Sequence, residues 1–330
     1  MFLFKMNKEK ENKAEAESVT VFNDEDIKEE KSIMPTPKPF DILNDSPEWL
    51  YDMTVAVFGQ RGSGKTFFVT QLCYLIRNIY PYVYVFTETK QNCWWAQFVN
   101  PDCIFEGYNE RALSMILEDQ AAKTNAWREG KFKGNPYALI IWDDCLPQNM
   151  QWDELFKKIY FYGRHSSFCN IMLSQYWYTI PKGLRGNLDL IVVFNQEMWG
   201  QLHGMTEDLM GRRVDFTMFA KMNDIYASGR QFLAFWKRDR TTPIFERIYT
   251  GLAYDPGNFF MGSEEYWKDN PRHLHEEILT GRAREKANKK FDLKEVGIDW
   301  KEIKKQLIEE EEKYGTRPEQ MLKKAKKNAV

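Results

Sequence analysis

Gly59-x-x-x-x-Gly64-Lys65-Thr66, set within FGQRGSGKTFF from Phe58 to Phe68, has the spacing of a phosphate-binding loop. Glycines let the backbone curl until several N–H groups point at one anion. The helix expected after it brings its positive end to the same place. The cradle is Gly59, Gln60, Arg61, Gly62, Ser63, Gly64, Lys65 and Thr66, with Phe67 next in the chain. Lys65 supplies a point charge for the β- and γ-phosphates of a nucleoside triphosphate, and the Thr66 hydroxyl takes one position on Mg²⁺. The plainer reading is a glycine turn that happens to precede Lys-Thr. It leaves unexplained why the turn lies between a strand-like run and a helical one.

A second set lies some eighty residues on. The apolar run ALIIW at 138–142 ends in Asp143-Asp144. A buried strand ending in acid puts carboxylates at the carboxyl edge of a sheet, where open α/β folds bind ligands. Asp143 is expected to hold Mg²⁺, through water, and Asp144 to orient or deprotonate the attacking water. A solvated strand end is the alternative for such a pair. Gln175, closing the run NIMLS at 170–174, could touch the γ-phosphate or the lytic water, or could simply cap its strand.

Arg164 in YGRHSS and Arg185 in PKGLRGN are candidate charge stabilisers that would act on a neighbouring subunit's phosphate. A surface arginine paired with a carboxylate is the alternative for each. His165 is expected to pack or hydrogen-bond. No His/Cys/acid cluster has metal-ligand spacing. Lys237-Arg238-x-Arg240, with Arg212-Arg213 and Lys221 nearby in sequence, either tracks a phosphate backbone or forms a charged turn. The basic MLKKAKKNAV at the end reads as a solvated tail.

These residues need a scaffold, and the apolar pattern supplies one. Strands are expected at Thr54–Phe58, 83–87, 138–142, 170–174 and 188–194, with a later pair at Gln231–Trp236 and 244–248. Helices fall between them. One begins at Lys65 with a stripe of Phe68, Leu72, Leu75, Ile76 and Ile79. A second carries Leu113, Ile116, Leu117 and Ala121, and a third spans about 152–162 with Leu155, Phe156 and Ile159 inward. Continuous apolar strands alternating with helices indicate an α/β fold, a mostly parallel sheet covered on both faces.

Composition sets outer limits. The 330 residues are 43% hydrophobic and 15% aromatic, enough for a sizeable core. A net charge of −2 gives no global basic field, so any nucleic-acid contact uses local patches. Five cysteines without C-x-x-C spacing read as buried thiols and favour a reducing compartment. No apolar run has the length of a membrane span, and MFLFKMNK is too short in its apolar part for a signal peptide. Three regions are expected: a disordered arm at 1–45, rich in Lys and Glu, the folded domain at 46–260, and a charged, partly helical extension at 261–330.

GQRGSGKT, LIIWDDC, GRHSSFCNIMLSQYW and PKGLRGNLDLIVVF together resemble the genome-packaging ATPases of large DNA viruses, virophages and related elements. Those proteins belong to the FtsK–HerA superfamily of ring-shaped DNA-pumping motors, and the poxvirus packaging ATPase is one of them. The resemblance covers about residues 50–200. It implies a RecA-like P-loop NTPase of the additional-strand (ASCE) type, with the Gln175 strand inserted between the loop strand and the acidic strand. It makes Lys65 and Thr66 the phosphate and metal residues, Asp143 the Mg²⁺ acid, Asp144 the catalytic acid and Gln175 the sensor. Many such motors have Glu where Asp144 stands. The implied activity is ATP-driven movement of double-stranded DNA into a capsid by a homo-oligomeric ring. ATP and Mg²⁺ are its cofactors, and capsid or vertex proteins its docking partners. The implied location is the host cytoplasm, a viral factory or the virion. Two other functions fit the same residues: another DNA pump or helicase of the superfamily, and a nucleotide-dependent switch that binds a protein. DNA stimulation of ATPase activity separates motor from switch.

Overall fold

The computed structural model describes residues 34–41, 51–90, 94–211 and 213–269, all within the compact unit Met1–Ile278. Nine strands form one sheet: β1 (Lys38–Pro39), β2 (Thr54–Phe58), β3 (Tyr82–Thr87), β4 (Ile104–Glu106), β5 (Ala138–Asp143), β6 (Phe168–Ser174), β7 (Leu190–Phe194), β8 (Gln231–Trp236) and β9 (Ile248–Leu252). Their order is β1-β9-β8-β7-β2-β6-β5-β3-β4. All neighbours are parallel except β7 with β8 and β8 with β9. β6 lies between β2 and β5, as expected of the additional-strand type.

β2, β6 and β7 are buried along their whole length, which is why their sequences run apolar instead of alternating. The main helices are α1 (Lys65–Ile76), α2 (Glu110–Arg128), α3 (Glu154–Tyr162), α4 (Trp199–Met205) and α5 (Phe216–Tyr226). Asn109, Asp153 and Asp215 cap α2, α3 and α5, each accepting a backbone N–H three residues on. α4 runs on into a π-helical turn, Thr206–Met210.

Several expectations shift. The last strand lies four residues later than 244–248, because Ile244–Arg247 is a 3₁₀ turn entered from Pro243. On α2 the buried positions after Ile116 are Gln120 and Thr124, not Leu117 and Ala121. Both polar side chains bond the Ser166 carbonyl, so burial is offset by hydrogen bonds. Part of the arm expected to be disordered is structured: β1 pairs with β9, and the Phe40 ring packs on Phe68 and Phe232. The boundary at 260 likewise falls short, since Met261, Tyr266 and Trp267 are buried. The rest of the arm, residues 1–33 and 42–45, lies outside the described residues, as do the first residues of the expected domain, 46–50, and the charged extension from 270 onward with its basic end.

The thiols of Cys73, Cys145 and Cys169 are buried and free, and Cys103 is free and half-buried; Cys93 lies outside the described residues. Among the described residues no helix is long and apolar enough to cross a membrane.

Candidate active site

The glycine loop leaves β2 and enters α1, and its conformation explains its composition. Gly62 and Gly64 have φ of 79° and 112°, values that side chains resist. A Cβ on Gly59 would lie 2.5 Å from Ser63 Oγ and 2.7 Å from Phe194 Cβ. No side chain caps the amino end of α1, so its first N–H groups face the loop. Ser63 Oγ is buried in the loop with no protein partner.

Lys65 is 6% exposed and donates to the carbonyls of Gly59 (2.7 Å) and Gln60 (3.2 Å). Burial pushes its ammonium pKa down, while the Asp144 and Asp143 carboxylates pull the other way. Its Nζ lies 3.9 Å from Asp144 Oδ2. That same oxygen accepts the Gln175 side-chain N–H at 3.1 Å. The β5–β6 pairing aligns Asp143 with Leu173, and the Asp144 N–H donates to the Leu173 carbonyl at 3.3 Å. Lys65, Asp144 and Gln175 are therefore one hydrogen-bonded and ion-paired group, brought together from three segments.

Asp144 turns out of the strand with φ of 54°, a left-handed conformation that few side chains adopt and aspartate tolerates better than most. The turn separates the two acids. Asp143 stays in the sheet, where Trp95 Nε1 donates to its Oδ2 at 2.8 Å. Burial raises the Asp143 pKa; the Trp95 bond and Lys65 oppose that, and Asp144 adds to it. Trp95 escaped the sequence reading. Its signal was a tryptophan pair, Trp94-Trp95, just after the second strand. Trp94 Nε1 donates to Thr70 Oγ1 on α1, which places the pair against the loop helix.

The arginines lie elsewhere. Arg164 sits at the amino edge of the sheet, where Nη2 meets Asp189 Oδ1 at 2.5 Å and Asp189 Oδ2 accepts the Thr54 N–H. Thr54 opens β2 and Gly59 follows its last residue, about 16 Å away at strand rise. Arg164 thus faces away from its own loop. Arg185 is buried: Nε and Nη2 bond Asp208, Nη1 donates to the Ile180 and Trp177 carbonyls, and the guanidinium lies over the Trp177 ring. These contacts make Arg185 a strut between the segment after β6 and the π turn, with its polar groups spent inside the subunit.

The structure joins two basic segments that are far apart in sequence. Arg164, His165, Lys237, Arg238 and Arg240 line one amino-edge cavity of about 450 Å³ together with Asp189. Lys237 donates to the Arg185 carbonyl, Arg238 donates to the Tyr51 carbonyl, and Arg240 is exposed. Lys221 and Arg213 do not line this cavity, and Arg212 lies outside the described residues.

A strand–glycine loop–helix unit, with an acid-bearing strand separated from it by one inserted strand, defines a P-loop ATPase. Residues 49–218 match the family described as "Poxvirus A32 protein", and the chain belongs to that family. It is 26% identical over 193 residues to an uncharacterised protein of Invertebrate iridescent virus 6, covering 55% of this chain and 71% of that one. An uncharacterised protein of Acanthamoeba polyphaga mimivirus is 23% identical over 270 residues, 76% of this chain and 95% of that one. Among solved structures, the genome packaging NTPase B204 of Sulfolobus turreted icosahedral virus 2 with AMPPCP aligns with a TM-score of 0.44 and 13% identity. That alignment covers 62% of this chain and 98% of that one. The conjugation coupling protein TcpA of pCW3 aligns with a TM-score of 0.46 and 11% identity over 71% of this chain and 66% of that one.

Proposed function

We propose that this chain is the ATP-driven motor that moves double-stranded DNA into a viral capsid, as a ring of identical copies. The observation that carries the reading is the Lys65–Asp144–Gln175 group beside the loop, in a chain of the A32 family. A binding switch needs the loop; it does not need a carboxylate positioned by a strand-end amide.

The residues suit Mg²⁺. The donors at hand are a hydroxyl on Thr66 and the Asp143 carboxylate oxygen left free by Trp95, both hard oxygen ligands. Among the described residues no group of three or more His, Cys, Asp or Glu could hold a metal. Mg²⁺ at a phosphate loop is held by one or two protein oxygens plus substrate phosphates. Bound there, Mg²⁺ would neutralise charge on the β- and γ-phosphates.

The geometry supports the following roles for the protein's own residues. The loop N–H groups take the phosphates, and Lys65 exchanges the Gly59 and Gln60 carbonyls for phosphate oxygens. Asp144, released from Lys65, accepts a proton from the attacking water while Gln175 holds its carboxylate. In this reading Arg164, which faces away from its own site, serves the γ-phosphate of the next copy. Arg240 and its cavity neighbours offer cations to a phosphate backbone or to that neighbouring site. Capsid or vertex proteins would dock the ring where particles assemble, in the host cytoplasm or a viral factory.

The test is ATPase activity with and without duplex DNA, using Asp144→Asn as the control. Stimulation by DNA of unrelated sequences, absent from the control, supports a motor. Slow turnover indifferent to DNA returns the chain to the switch class.

A further inference from the structure

The phosphate loop has two flanks, and they differ. On the β5–β6 side stand Asp143, Asp144 and Gln175. On the β7–β8 side the loop is closed by Phe194 at the end of β7, Ala253 after β9, and Arg230 in the turn that enters β8. A Cβ on Gly64 would lie 3.1 Å from Phe194, 3.5 Å from Ala253 and 3.6 Å from Arg230 Cγ. The Arg230 carbonyl accepts the Ala253 N–H at 2.9 Å, which ties the turn to the end of β9.

The Arg230 guanidinium lies 4.6 Å from the centroid of the Phe67 ring, the residue directly after Thr66. Arg230 is exposed, and among the described residues no carboxylate pairs with it. The Phe67 ring also meets Trp94 edge-on at 5.4 Å, so it is held from a second side. A planar cation braced on an aromatic ring, with its other face open, is a platform for a further flat group.

The direction of a bound triphosphate follows from the acids. The γ-phosphate belongs on the β5–β6 flank, where Asp144 can reach its water. The phosphate chain then runs away from that flank, and the nucleoside emerges on the β7–β8 side, over Phe67 and Arg230. We infer that Arg230 is a nucleoside-binding residue, its guanidinium stacking on the base while Phe67 supports it from beneath. The inference rests on the nucleotide reading of the loop and adds the residue that grips the end remote from the chemistry.

The experiment is calorimetric binding of Mg-ATP and of Mg-tripolyphosphate, which lacks a nucleoside, to the full chain. Wild type, Arg230→Ala, Arg230→Lys and Arg230→Gln are compared, with thermal unfolding confirming that each folds. Arg230→Ala should bind ATP about tenfold more weakly and tripolyphosphate as wild type does. Arg230→Lys, which keeps the charge and loses the plane, should fall between, and Arg230→Gln should follow Arg230→Ala. Unchanged ATP affinity in Arg230→Ala and Arg230→Gln overturns the assignment. So does an equal loss for both ligands, which would place Arg230 on the phosphates. A wild type that binds neither ligand overturns the nucleotide reading of the loop, and this inference with it.

Discussion

The two edges of the sheet are built from the same kinds of charge and use them in opposite ways. At the carboxyl edge, Lys65, Asp143 and Asp144 are concentrated beside the loop; burial lowers the Lys65 pKa and raises that of Asp143, and the hydrogen bonds of Lys65 are local to the loop. At the amino edge, Arg164, His165 and Arg240 stand around an open cavity, with one buried carboxylate, Asp189, anchoring the first of them. The first edge carries the paired acids, with Arg230 on the opposite flank of the loop. The second is lined by basic side chains. In a head-to-tail ring such surfaces meet. On the proposed reading, a site legible as a motif in one subunit is completed by the next.

The largest effect tests the carboxyl edge alone. Lys65→Ala should weaken ATP binding about 100-fold or more and abolish turnover, with the fold intact by circular dichroism. Normal ATPase in that variant would remove the loop from the mechanism. Asp144→Asn should bind Mg-ATP and hydrolyse it roughly 10³-fold more slowly, since only the water-activating group is lost. Asp143→Asn should instead lose Mg²⁺-dependent hydrolysis, with weaker Mg-nucleotide binding and a Mg²⁺ titration displaced to higher concentration. Identical Mg²⁺ titrations for the two variants would erase the division of labour between the acids.

A smaller effect probes the amino edge. Neutralising Lys237, Arg238 and Arg240 together should weaken binding to unrelated DNA sequences equally. It should also flatten the dependence of log K on log salt by about one unit per lost phosphate contact. Arg240→Ala alone isolates the exposed cation, for which no hydrogen bond or ion pair is seen among the described residues. An unchanged slope would show that this edge does not hold DNA.

The smallest effect is on stability. Burial raises the Asp143 pKa in the folded protein, so the fold bears the cost of its charge at neutral pH. Stability from this group is greatest on the acid side and is lost as pH rises from the ordinary carboxylate value through the raised one. Asp143→Asn should therefore raise the Tm of the nucleotide-free protein by roughly 2 °C at neutral pH, with the gain vanishing toward acid pH. A fall in Tm would mean that the Trp95 and Lys65 contacts outweigh burial.

The carboxyl edge was legible because its chemistry is local in sequence. Gly59–Thr66 carries its own spacing, and apolar strands end visibly at Asp143 and Gln175. The inserted position of β6 followed from the family likeness, not from periodicity. What the sequence could not carry was pairing at a distance. Nothing near Arg164 points to Asp189, 25 residues on, or near Arg185 to Asp208, 23 residues on. Arg185 was thus expected at a catalytic interface and proves to be an internal strut. Trp95 was hidden because an indole reads as core. The last strand was misplaced because Asp239 caps a turn through Thr241 and Thr242, and Pro243 then leads into a 3₁₀ turn that an apolar count cannot distinguish from a strand.

The meeting of the two edges is tested most directly by mixing variants. Arg164→Ala should bind ATP normally and hydrolyse it about 10³-fold more slowly, and Lys65→Ala should be inactive. In mixed assemblies, some intact loops face an intact Arg164 from the Lys65→Ala neighbour. Part of the wild-type ATPase rate should return, peaking near equal proportions. Mixed rings that form, verified by pull-down of one tagged variant with the other, and yet stay inactive would contradict a site shared between the carboxyl edge of one copy and the amino edge of the next.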